Sequence, residues 1–192
     1  LARIQIEQGK LQEAGAVLKE LRQHYANDPH ADFAANVVES LKEAHAGNPE
    51  AAARLIDDAL KLQEAHGLAP SENLSLDLAH ACLKSGKEAH GLRLMQTLVD
   101  NNHDNHRLLA KSRQVFGKLD MAEAGERIIK DSVKAAVSLN NAAVMRARAG
   151  DLAEAAAMLR DAAERLPNNV QILLNAAQAQ LTMIARDGWD VD

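Results

Sequence analysis

The chain has 192 residues, 47% of them hydrophobic and only 2% aromatic, with a formal net charge of −5. That length suits one ordinary domain or several short stacked repeats, and the apolar content is ample for a core. The acidic balance and the scarcity of aromatics argue against nucleic-acid binding, and no apolar run approaches the ~20 residues of a membrane span.

A single cysteine, Cys82, excludes an internal disulfide and fits a reducing, cytoplasmic setting. Alanine and leucine, both strong helix formers, supply most of the apolar content. Alternating runs of β-branched residues are missing, and Pro29, Pro49, Pro70 and Pro167 all sit at breaks between apolar-periodic segments. An all-α chain is expected.

In chain order, residues 1–8 read as the back half of a helix, so a piece of a longer protein is expected. After a turn at Gly9, residues 10–25 form a helix with Ala14 and Leu18 on its apolar stripe. Residues 30–66 divide at Gly47 and Pro49, with Ala52 and Ile56 behind the break. Residues 71–102 carry Leu78, Ala79, Cys82, Gly86, Gly91 and Met95, and close on Asn101 and Asn102. In residues 103–132 the turn reads as Gly117, with Ala124 and Ile128 following about two positions late. No proline separates this stretch from residues 133–139, so one longer helix or a tight bend is expected there.

Residues 136–169 read as helix, Gly150 turn, helix and Pro167, with Leu139, Ala142, Ala143, Ala155, Leu159 and Ala162 on the apolar positions. Residues 170–186 begin the pattern again with Leu173, Ala176 and Ala177. Gly188 resembles the next turn, and Trp189 is expected to pack on a helix beyond it.

Leu139 to Leu173 and Asn141 to Asn175 each span 34 residues. With the bulky-then-small pattern, the later alanine with a large residue four on, and the closing proline, these spacings resemble the tetratricopeptide repeat family. The usual tryptophan and tyrosine positions hold Leu139, Arg146, Ser75, Cys82 and Gln180, so a thinner, alanine-rich core is expected. The resemblance implies an all-α, right-handed superhelical solenoid of stacked antiparallel helix pairs. It would form a single domain over residues 1–192, with approximate units 1–28, 29–69, 70–102, 103–135, 136–169 and 170–192. Ala79, Ala143 and Ala177 would sit where helices approach closely, and Leu18, Ile56, Met95 and Leu159 would fill the space between pairs.

The function implied is a protein–protein interaction scaffold that holds a peptide or partner protein in its concave groove. The stretch "LNNAAVMRARAGDLAEA" is similar to repeat domains behind the receiver domains of bacterial response regulators, and to repeat regions of secretion or biofilm assembly proteins. First helices would line the groove. That face carries Asn140, Asn141, Val144 and Arg148, then Gln171, Leu174, Asn175 and Gln178. Upstream it carries Asn73, His80 and Lys84, and Arg107 and Lys111. Asn141 and Asn175 would hold a peptide main chain, since an amide both donates and accepts; the alternative is local capping or plain solvation. Lys84, Arg107, Lys111 and Arg148 would suit an acidic or C-terminal segment, unless they form only a solvated face.

No phosphate loop, nucleophile elbow or zinc-protease helix is present, so no catalytic or cofactor-binding residues are expected and the chain does not read as an enzyme. His103 and His106, with Asp104, form too slight a pattern for a metal site, and none is expected. Cys82 reads as a buried structural thiol. The competing function is self-association into a homodimer through alanine-rich helices.

Overall fold

The computed structural model describes residues 1–102, 105–167 and 169–188; His103, Asp104 and Trp189 lie outside them. The described residues form helices α1 (Ala2–Glu7), α2 (Leu11–His24), α3 (Pro29–His45), α4 (Pro49–His66) and α5 (Glu72–Lys84). These are followed by α6 (Glu88–Asp100), α7 (His106–Lys118), α8 (Ala122–Ala149), α9 (Leu152–Arg165) and α10 (Val170–Asp187). Among the described residues there is no strand, and no helix is long and apolar enough to cross a membrane.

The helix boundaries follow from local chemistry. Pro29 and Pro49 open α3 and α4, where a missing N–H costs nothing. Asp28 accepts a hydrogen bond from the His30 amide at 2.9 Å, and Asn169 accepts from the Ile172 amide at 3.2 Å, each satisfying a donor at a helix start. Of the two expectations for residues 133–139, the longer helix is the one found. α8 runs unbroken for 28 residues because Ile129, Ser132, Ala136, Asn140 and Ala143 keep one buried stripe in helical register.

A turn pattern recurs five times among the described residues. Gly9, Gly47, Gly86, Asp120 and Gly150 all have positive φ. Five positions later come Ala14, Ala52, Gly91, Gly125 and Ala155, and four beyond those Leu18, Ile56, Met95, Ile129 and Leu159, all of them buried. This corrects the register of residues 103–132. Gly117 lies inside α7, and Asp120, at φ 57°, makes the turn. Aspartate is one of the few residues with a Cβ that tolerates this conformation. Gly125 and Ile129, not Ala124 and Ile128, then take the small and large positions. Gly125 is small of necessity: a Cβ there would lie 2.5 Å from Phe116 Cδ2 and 2.9 Å from Phe116 Cβ.

The chain divides into two compact units, one of Leu1–Leu98 with Gly117–Asp120, the other of Val99–Phe116 with Met121–Asp192. In the first, α1 packs on α2 and α3, and α3 packs on α2, α4 and α5. Its core includes Ile6, Leu18, Phe33, Val37, Ile56, Leu78 and Cys82. In the second, α9 packs on α8 and α10, and α8 also meets α10. Ala136, Ala162, Leu166 and Ile172 form one buried cluster there, and Ala143, Ala156, Leu159 and Ala179 another. Ala177 was expected at a close helix approach, but it is exposed, as are Val170, Leu174 and Leu181. α10 buries Ile172 and Ala179 on the opposite face instead.

Gly125→Ala is expected to destabilise the chain by about 1–3 kcal/mol through overpacking against Phe116, outweighing the ~1 kcal/mol that alanine gains in helix propensity. Gly117→Ala meets open space and should stabilise by about 0.4–1 kcal/mol. Urea unfolding of both variants checks the pair; a neutral Gly125→Ala would contradict the close approach.

Candidate functional site

Asn140 lies on the buried stripe of α8 and is 7% exposed. An unpartnered amide there would cost about 1–3 kcal/mol, so its partners fix the local geometry. Asn175 Nδ2 on α10 donates to Asn140 Oδ1 at 3.0 Å, and Gln171 Nε2 donates to Asn175 Oδ1 at 3.0 Å. Asn140 Nδ2 donates in turn to Asn141 Oδ1 at 3.3 Å. Four expected groove residues therefore form one row of amides crossing from α10 to α8. The residue that bridges to Asn175 is Asn140. Asn141 is exposed at the end of the row, and its amide nitrogen donates to nothing among the described residues.

One turn further along both helices, the structure brings Val144, Arg148, Asn175 and Gln178 around a cavity of about 260 Å³. Leu152, Leu159 and Ala179 supply its apolar surface. Thr182 completes the wall, and its Oγ1 donates to the Gln178 carbonyl at 2.8 Å. Sequence reasoning missed Thr182, although its place four residues after Gln178 puts it on the same helix face. Arg148 is exposed and has no ion pair among the described residues. The site thus combines an apolar recess, a row of amides and one available guanidinium.

The other expected residues lie elsewhere. Arg107 is exposed and Lys111 half-buried on α7. His80 and Lys84 belong to the first unit, on α5. Lys84 is exposed, whereas His80 is 8% exposed, its ring packed edge-on against His45 with centroids 5.5 Å apart. Burial pushes the His80 pKa down to about 4, helped by His45 and the positive charges of Lys118 and Lys84. His45 is also lowered, by burial and then by Lys84 and Lys118, with Glu7 opposing.

Burial pushes the Cys82 thiol up to about 11, opposite to what a nucleophile requires. Among the described residues no group of three or more His, Cys, Asp and Glu could hold a metal ion. No family model, curated protein or solved structure matches the chain.

The His80 environment sets a pH dependence. Above its ordinary value of 6.5 the ring is neutral whether the chain is folded or unfolded, and it contributes no slope. Below that, the unfolded chain takes up a proton that the folded chain refuses until about pH 4, so stability falls as the pH drops across this interval. The loss attributable to His80 is about 3 kcal/mol at the lower end. Urea unfolding at a series of pH values should show the decline in the wild type and a flatter one in His80→Gln. Identical slopes would place the acid sensitivity elsewhere.

Proposed function

We propose that the chain is a helical-repeat interaction domain of the tetratricopeptide kind, whose α8 and α10 hold an extended peptide from another protein. The observation that supports this most is the amide row beside the Arg148 cavity. An extended main chain presents N–H and C=O groups in alternation, and side-chain amides answer both without reading sequence. The apolar recess accepts one side chain of the guest, and Arg148 offers a charge-assisted bond to a carboxylate.

The stacked-pair architecture has its own support. α1, α3 and α8 each pack on the next helix and on the next but one. The five left-handed turns, each followed by a small and then a large buried residue, give those pairs one common closure. Stacked repeats bury a shared seam in this way and leave one side of the stack open for a guest. A place in bacterial signalling or assembly is the setting that the sequence resemblance implies.

Selection from a displayed library of random peptides against the whole chain, followed by fluorescence anisotropy with the selected peptides, tests this reading. Arg148→Ala and Asn175→Ala should each weaken binding by about five- to tenfold, with unchanged helical circular dichroism. Asn175→Ala also strips a bond from buried Asn140, so the exposed Arg148 is the variant that separates lost binding from lost packing. Undiminished binding by both discards the site.

One observation favours a second reading, self-association. Val170, Leu174 and Leu181 fall on one exposed face of α10 and present a continuous aliphatic stripe. If that stripe docks on a second copy, sedimentation equilibrium will show a concentration-dependent dimer that Leu174→Lys with Leu181→Lys converts to monomer. A monomer at every concentration excludes it.

A further inference from the structure

A larger concavity lies on the first half of α8. It measures about 910 Å³, and its lining includes Arg127, Lys130, Val133, Lys134 and Val137 of α8 together with Arg113 of α7. Two features set it apart from an ordinary solvated face. Val133 and Val137, one turn apart, are 37% and 40% exposed. β-Branched residues lower helix propensity, so nothing about forming a helix accounts for an exposed pair of them.

The second feature is charge. Four cations, Arg113, Arg127, Lys130 and Lys134, face two carboxylates, Glu126 and Asp131. Glu126 is already paired with Arg113 at 2.6 Å. Arg127, Lys130 and Lys134 have no ion pair among the described residues, in a chain whose total charge is −5.

This surface is continuous with the site above. Val133, Val137, Asn141, Val144 and Arg148 recur at intervals of three and four residues and share one face of α8. From Lys134 to Asn141 is about 10 Å along the helix, and from Lys130 about 16 Å. An extended chain covers those lengths in about three to five residues.

We propose that the peptide held along α8 and α10 carries a short run of Asp or Glu about three to five residues from its amide-held part, seated against Arg127, Lys130 and Lys134, with an aliphatic side chain over Val133 and Val137. This rests on the peptide reading of the preceding subsection. A protein segment fits better than a polyphosphate. The floor is aliphatic, with no aromatic for a base to stack on, and Glu126 and Asp131 in the wall repel a continuous phosphate backbone.

The selected peptides test it directly. They should contain an acidic run flanking an aliphatic residue. The variant Lys130→Glu with Lys134→Glu, both at exposed positions, should weaken them by about tenfold or more, and added salt should weaken the wild-type complex. Replacing the peptide's Asp and Glu by Asn and Gln should cost as much, and should cost little in the doubly substituted protein. If the peptides lack an acidic run, or bind the Glu variant as well as wild type while Arg148→Ala still weakens them, the inference falls and the peptide site stands. If neither Arg148→Ala nor Asn175→Ala has any effect, both fall together. Fluorescein-labelled duplex DNA or phosphatidylserine vesicles that bind more tightly than the peptides, with loss in the Glu variant, would overturn the proposal in favour of phosphate. A dimer abolished by the same substitutions would assign the surface to a second copy.

Discussion

The structure depends on a close approach that recurs at five of the helix turns among the described residues. A residue in the left-handed conformation ends the first helix, and a small residue five positions later lets the second lie against it. At Gly125 and Gly91 the contact is so tight that even a methyl group would collide, with Phe116 in one case and Leu83 in the other. Elsewhere alanine suffices, as at Ala14, Ala52 and Ala155, each fully buried. The large residue one turn on then fills the space between helices, and each such side chain contributes about 1.5–3 kcal/mol by leaving water. With closure carried by the buried stripes, the flanks of α8 and α10 beside them are left for other chemistry.

On the α8 stripe itself the decisive polar event is the burial of Asn140. A lone amide so placed would destabilise the fold, and the bond from Asn175 removes that cost while setting the register of α10 on α8. Gln171 and Asn141 extend the pairing to a row. The flank of α8 beside that stripe then passes from exposed valines and cations that have no ion pair among the described residues, through Asn141, to a recess bordered by Arg148. One helix of 28 residues joins these features because no proline or left-handed residue interrupts it.

Much of the helix plan was legible in the sequence, because prolines and glycines mark ends by local sterics alone. The turn at Asp120 was not, since Gly117 offered the more obvious signal and aspartate adopts positive φ only where its surroundings require it. Repeat spacing picks Asn141 as the counterpart of Asn175, and that equivalence is a statement about register. Side chains on neighbouring helices meet according to orientation, and Asn175 reaches Asn140. His80 looks like any polar residue on an amphipathic helix, and it is buried against His45, a partner from α3. The valine and lysine surface on α8 carries no motif and emerges only when α7 and α8 are seen together.

Amide hydrogen exchange, with and without a peptide selected for binding, bears most directly on the claim that one face of α8 and its neighbour α10 form the site. Slowed exchange should fall in residues 126–148 and 171–182, the segments that carry the concavities and the amide row, while α2 to α4 exchange at their former rates. Protection confined to α2, α3 and α4, or no change anywhere in the second unit on saturation with peptide, would contradict it.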